Sequence, residues 1–256
     1  MALAAGESEI EKEQRGEKTP LLSVEEVSKY FGPVKAVDHV SLDIYKGEVI
    51  GIIGDNGAGK STFLSLLVGY YQPDSGRIYY KGQPVHIASP RFARKYLGIE
   101  MVFQNLRLAP DLSVADNMFL GEEPKLFGVF KNGAKMKQDA TEALKKLNSD
   151  LKPDLAVEGL SGGEKQIVAI ARAVLFNRDI IIMDEPTAAI SVNKVEEVLN
   201  LIKELKKLGK TVLLVSHRLE DILQVADRIV VFYHGTIRTV LENKDLKVSD
   251  LVHAMF

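Results

Sequence analysis

The apolar positions of this chain change their period in a regular order, and that order predicts its elements. Leu21 to Lys29 and Val34 to Ile44 alternate apolar and polar residues, the period of two that lines one face of a strand. They predict an antiparallel pair with Tyr30 and Phe31 at the turn between them. Val49-Ile50-Gly51-Ile52-Ile53 is apolar without a break, as a strand buried on both faces must be, and Phe63 to Val68 continues as an apolar helix ending near Gly69. The turn Pro73-Asp74-Ser75-Gly76 leads into a strand at Arg77 to Tyr80, whose partner begins near Val85. Ser89-Pro90 then opens a short basic helix in N-cap and N1 order, and Ile99 to Phe103 returns as a strand that stops at Gln104.

From Asn105 to Leu160 no long strand is evident, and Met136, Ala140, Ala143, Leu144 and Leu147 recur at helical spacing. A helix over Glu164 to Phe176 follows, with a wide apolar stripe through Ile167, Val168, Ile170, Ala171, Val174 and Leu175. Next come a buried strand at Ile180 to Met183, a helix facing inward through Val195, Val198, Leu199, Ile202 and Leu205, and a buried strand at Thr211 to Val215. A helix at Leu219 to Val225, a strand at Arg228 to Phe232, a hairpin turn at His234-Gly235 and a last strand and helix complete the chain. Strands alternating with helices predict an α/β fold with a parallel sheet covered on both faces. The antiparallel β stretch and a helical insertion over about residues 105–176 are additions to it.

The chain has 256 residues, enough for one large domain. We expect that domain to span residues 20–256, after a mobile polar tail over 1–19 that is rich in Glu and Lys and lacks the apolar segment of a signal peptide. A net charge of −2 argues against a nucleic-acid partner. No cysteine is present, so disulfides, thiolate catalysis and cysteine metal ligation are excluded. No apolar run approaches the roughly eighteen residues that cross a bilayer, which predicts a chain soluble by itself.

Candidate chemistry begins at Gly54-Asp55-Asn56-Gly57-Ala58-Gly59-Lys60-Ser61-Thr62, which matches the phosphate-binding pattern G-x-x-x-x-G-K-[ST] between a strand and a helix. Its glycines let backbone N–H groups curl round a polyphosphate, and the following helix aims its positive end at the same anion. Lys60 supplies a point charge for the β and γ phosphates, and Ser61 a hydroxyl for Mg²⁺. The strand Ile180 to Met183 ends in Asp184-Glu185. There Asp184 can hold Mg²⁺ opposite Ser61 through a water, and Glu185 can orient and deprotonate an attacking water. Together these are a nucleotide-hydrolase arrangement.

Leu160-Ser161-Gly162-Gly163-Glu164 narrows the reading. With this turn in place before the Asp184-Glu185 strand, the chain resembles the ATP-binding subunit of ABC transporters from Leu21 to Phe256, whose signature is L-S-G-G-Q. The resemblance implies a P-loop NTPase (RecA-like) core with an antiparallel β subdomain and an inserted helical subdomain. It implies that Tyr30 stacks on adenine, that Gln104 senses the metal and the attacking water, and that His217 contacts the γ-phosphate. It further implies that Ser161, Gly162 and Gly163 serve the ATP held by a second subunit, so that two copies pair head to tail around two ATP molecules. Two positions depart from the pattern. Glu164 replaces the signature glutamine and puts a carboxylate beside the triphosphate or out in solvent. Ser191 stands where many members carry aspartate, which predicts that Ser191→Asp alters cooperativity more than single-site binding.

Soluble relatives include a single-cassette ATPase of iron-sulfur assembly, to which Gly163-Glu164-Lys165 gives some support. Gln166 to Ala173, however, looks like a transporter signature helix. Exporters usually fuse a membrane domain to the cassette, so the resemblance favours an importer. Gly54-Asp55-Asn56, Gly98 to Gln104, Leu106 to Pro110, Asn117 to Glu122 and Asp184 to Ala189 look like the simple-sugar importer ATPases (ribose, xylose, fructose type). That implies an integral membrane permease as partner, an extracellular solute-binding protein beyond it, and a peripheral place on the cytoplasmic face of the membrane.

Overall fold

The structure, a computed structural model, describes residues 19–126, 130–188 and 192–256. The tail expected before Thr19, and Ser191, lie outside the described residues. The alternating stretches form β1 (Leu22–Phe31) and β2 (Val34–Ile44), paired antiparallel. Tyr30 and Phe31 are the last residues of β1, in register with Lys35 and Val34. The turn falls two residues later than the alternation suggests, at Gly32-Pro33. Gly32 takes a left-handed φ of 56°, which glycine adopts at no steric cost. β4 (Ser75–Tyr80) joins β1 on its other edge, and the two-residue β5 (Gln83–Pro84) completes a four-stranded antiparallel sheet, starting just before Val85.

The larger sheet contains β3 (Val49–Ile53), β6 (Ile99–Val102), β9 (Ile180–Asp184), β10 (Thr211–Val215), β11 (Arg228–Tyr233) and β12 (Thr236–Glu242). Their spatial order is β12-β11-β3-β10-β9-β6, with every neighbouring pair parallel except β11 with β12. β7 (Lys125–Leu126) and β8 (Phe130–Lys131) form a separate small ribbon. Strands with both faces covered need apolar residues at every position. Ile50, Ile52, Ile182, Leu213 and Val230 pack with the antiparallel sheet and with α1 (Lys60–Leu67). Val49, Ile53, Ile181, Met183, Leu214 and Val231 face the opposite side.

That opposite side carries the predicted helical insertion. α3 (Val114–Phe119), α4 (Gly133–Lys146) and α5 (Gly162–Leu175) share one continuous core with the sheet through Met118, Met136, Ala140, Leu144, Val168 and Ala171. Before them, α2 (Pro90–Leu97) opens on Ser89, whose hydroxyl accepts from the Phe92 N–H at 3.2 Å, with Pro90 at the first helical position. α6 (Val192–Lys207), α7 (Leu219–Val225) and α8 (Val248–Met255) close the second face.

Candidate active site

Parallel strands deliver their following loops to one edge of the sheet. In register, Ile52 of β3, Val215 of β10 and Asp184 of β9 lie in one row, and Val102 of β6 pairs with Met183. The phosphate loop, Gln104, Asp184-Glu185 and Ser216-His217 therefore all emerge together, although they are spread over more than a hundred positions of chain.

The loop itself demands glycine. Gly54, Gly57 and Gly59 have φ of 144°, 81° and 101°, a region that side chains disfavour. A Cβ at Gly54 would collide with the Phe232 carbonyl oxygen, and one at Gly59 with that of Ala36. The turn between β11 and β12 braces the same loop: Gly235 N–H donates to Ala58 O at 3.0 Å and Gly235 O accepts from Asp38 N–H at 2.8 Å. α1 starts on Gly59, whose carbonyl accepts from the Phe63 N–H at 2.9 Å, so its unbonded first-turn N–H groups point into the loop.

Lys60 is only 6 % exposed. Its Nζ donates to the carbonyls of Gly54 at 2.6 Å and Asp55 at 2.8 Å, which holds the ammonium inside the loop. Burial pushes its pKa down, while the charges of Glu185, Asp184 and Asp55 work the other way. Asp184 shows the converse: burial raises its pKa, opposed first by a hydrogen bond from the Ser61 hydroxyl. A half-buried carboxylate beside a hydroxyl is a hard-oxygen pair of the kind Mg²⁺ takes while keeping waters and phosphate oxygens in its other positions.

Glu185 leaves the strand at a left-handed φ of 52°, and its N–H donates to Val215 O at 2.9 Å. That bend turns its side chain to His217, whose Nε2 lies 2.6 Å from Glu185 Oε1. Gln104 is exposed two residues beyond β6. Tyr30 is half-buried. Its hydroxyl donates to Asp38 at 3.1 Å and its N–H to Asp74 at 2.7 Å, and its register partner Lys35 precedes the Ala36 that touches Gly59. The register thus places Tyr30 on the strand pair that abuts the loop at Gly59.

Ser161 and Gly162 are exposed at the start of α5, on the helical insertion. Ser161 caps the helix, and Glu164 returns the contact in a reciprocal capping box. Glu164 is bonded to Ser161 through the serine N–H and hydroxyl.

A family model described as ABC transporter matches residues 37–188. The chain belongs to the ABC transporter family. The cassette is 42 % identical over 236 residues to the ribose import ATP-binding protein RbsA of Caldanaerobacter subterraneus subsp. tengcongensis, covering 92 % of this chain and 47 % of that one. It is 44 % identical over 237 residues to the xylose/arabinose import ATP-binding protein XylG of Sulfolobus acidocaldarius, covering 92 % and 93 %. It thus spans about half the length of the first relative and nearly all of the second. Among solved structures, a nucleotide-free ATP-binding cassette from an ABC transporter aligns with TM-score 0.81 at 30 % identity, covering 91 % of this chain and 95 % of that one. The dimeric post-hydrolysis state of a cassette bound to ADP and Pi aligns with TM-score 0.73 at 27 % identity, covering 88 % and 100 %. The fold is accordingly the P-loop ATPase fold of such cassettes, and ATP is the nucleotide its family binds.

The periodicity of the cassette's sequence gave no hint of the residues that hold these groups in place. Asp221, 2 % exposed, accepts from Thr187 Oγ1 at 3.0 Å and so anchors the chain just after Glu185. Asp38 and Asp74 hold Tyr30 from two sides, and Gly235 props the loop. Asp74, Asp221 and Gly235 act across long stretches of chain and Asp38 across the β1–β2 pair, and a lone Asp or Gly carries no motif for such a role.

Proposed function

We propose that this cassette is the ATP-hydrolysing subunit of a membrane importer for a simple sugar, and that two copies work as a head-to-tail pair. The observation that carries the reading is the separation of two half-sites. Lys60, Asp184, Glu185 and His217 converge at the sheet edge, whereas Ser161 and Gly162 are exposed on the helical insertion as a second anion-binding helix start. Sugar import is supported by the names of the relatives, ribose and xylose/arabinose import proteins. Pairing is supported by the likeness to a cassette solved as a dimer with ADP and Pi.

In this reading the loop from Gly54 to Thr62 wraps the phosphates with N–H groups, Lys60 neutralises the β and γ phosphates, and Tyr30 stacks on adenine. Ser61, Asp184 and Gln104 would hold Mg²⁺, which would supply charge neutralisation. Glu185 accepts a proton from the attacking water, and His217 orients Glu185 and reaches the γ-phosphate. The signature of the second copy, Ser161 with Gly162 and Gly163, covers that phosphate from the far side. ATP thereby closes the pair, and hydrolysis releases it.

The permease follows through the surface around Gln104 and the helical insertion, and an extracellular solute-binding protein delivers the sugar. No helix among the described residues is long and apolar enough to cross a membrane. The cassette's place is peripheral, on the cytoplasmic face, held there by the permease.

Tagged Glu185→Gln protein with Mg-ATP tests this in pull-downs from detergent-solubilised membranes and from cytosol, with mass spectrometry of the partners. Recovery of a polytopic permease is expected. Recovery of soluble iron-sulfur assembly proteins alone would overturn the importer reading.

A further inference from the structure

Ser161 and Glu164 satisfy one another. Ser161 Oγ donates to Glu164 Oε2 at 2.7 Å, Ser161 N–H donates to the same oxygen at 2.8 Å, and Glu164 N–H donates back to Ser161 Oγ at 3.3 Å. A hydroxyl carries one hydrogen, so while this bond stands Ser161 has none to give a phosphate. The carboxylate also lies over the first turn of α5, where free N–H groups and the helix dipole attract an anion. The two Ser161 bonds, side chain first and backbone second, hold its carboxyl below the usual glutamate range. It is therefore an anion at neutral pH.

The neighbouring charges leave that anion in place. Lys194 attracts it from α6, but Lys194 Nζ is itself paired with Glu197 at 2.5 Å. The Glu197 carboxylate in turn reaches within 3.4 Å of where a Cβ on Gly163 would stand. The signature turn is thus already supplied with negative charge from its own subunit.

We propose that Glu164 is an internal stand-in for phosphate: it occupies the donors of Ser161 in the unpaired cassette, must be displaced when a second copy brings its triphosphate, and so sets the ATP concentration at which two cassettes close. This rests on the reading that Ser161 serves the nucleotide of another copy. A glutamine at the same position can accept the same two bonds, but as a weaker, uncharged acceptor that does not repel the incoming phosphate.

The test compares Glu185→Gln, Glu185→Gln/Glu164→Gln and Glu185→Gln/Glu164→Ala. Sedimentation velocity across an ATP titration reads dimerisation, a fluorescent ATP analogue reads binding to the monomer, and thermal melts read stability. Glu164→Gln is expected to lower the ATP concentration for half dimerisation about tenfold, on the scale of one charge-assisted hydrogen bond. Affinity of the monomer should not change. Glu164→Ala should lower the threshold too, although loss of the reciprocal half of the capping box lowers its melting temperature. A role in capping alone would move stability without lowering the threshold. The gain should shrink as salt is raised, because charge repulsion is screened. An unchanged or raised threshold in Glu164→Gln overturns the proposal for Glu164 and leaves the paired reading intact. Absence of any ATP-dependent dimer in all three, with ATP bound, overturns the paired reading and this inference with it.

Discussion

His217 Nε2 stands 2.6 Å from Glu185 Oε1, across the ends of two adjacent parallel strands. The register pairs Val215 with Asp184, so the residue after Asp184 and the second residue after Val215 meet only because β9 and β10 are neighbours and Glu185 bends out at positive φ. The contact joins the two side chains into one unit.

Glu185→Gln should therefore bind ATP normally and release phosphate at least about a hundredfold more slowly, the usual contribution of a general base. His217→Ala should also lose activity. Because the residues touch, the double variant should lose much less than the product of the two single losses, as a double-mutant cycle of phosphate release would show. Near-normal turnover in Glu185→Gln would mean that another group is the base.

Lys60→Met separates binding from stability. The ammonium is buried and its pKa is depressed by that burial, so the charge is held in the loop at a cost. Equilibrium titration should show ATP affinity falling at least about tenfold, the worth of one charge-assisted contact. The melting temperature without nucleotide should rise or stay level. A fall would show that the bonds to Gly54 O and Asp55 O outweigh the desolvation.

Gly59→Ala tests the loop's geometry. With φ of 101° and the Ala36 carbonyl in the path of any Cβ, even a methyl group must strain or shift the backbone. Urea unfolding should show a loss of about 1–3 kcal/mol. Gly57→Ala, at positive φ but in open space, should cost about 1 kcal/mol.

Beneath α5, Glu100 is 6 % exposed and lies 3.9 Å from Arg94, 3.7 Å from Arg172 and 3.5 Å from Arg178. Burial nonetheless raises its pKa, with the arginines acting against burial and losing. At these distances the attraction is not reinforced by hydrogen bonds, and Glu100 Oε2 has no hydrogen-bond partner among the described residues. The arginines keep other partners: Arg178 bonds Glu122 at 2.6 Å and Arg94 O at 2.9 Å, and Arg172 bonds Leu120 O at 3.0 Å. Glu100→Gln should thus stay within about 1 kcal/mol of the parent at neutral pH, whereas Arg178→Met should cost about 3 kcal/mol by taking the nearest cation from the buried Glu100. A raised folded pKa gives stability that is complete below the ordinary glutamate value and is lost as pH rises through the folded value. The parent's advantage over Glu100→Gln should accordingly be largest in acid and fade toward neutrality, read from urea midpoints at each pH.

Much of this protein is written in local pattern. Alternation at Leu22 to Ile44, unbroken apolar runs at Val49–Ile53, Ile180–Met183 and Thr211–Val215, and helical spacing at Met136 to Leu147 each follow from the face an element must bury. The phosphate loop and the Ser161 turn are contiguous, so their chemistry could be read directly as well. The end of β1 shifted, because Gly32-Pro33 rather than Tyr30-Phe31 makes the turn.

Tertiary structure alone decided which strands became neighbours. Periodicity says that a strand is buried on both faces but carries no information about the order β12-β11-β3-β10-β9-β6, since backbone hydrogen bonds between strands are the same whatever the side chains. That order brings His217 to Glu185, Gly235 to Ala58, and Asp221 to Thr187. The bond from Ser161 to Glu164, by contrast, needed no tertiary contact, because a first-turn carboxylate finds its nearest unpaired donors at its own N-cap.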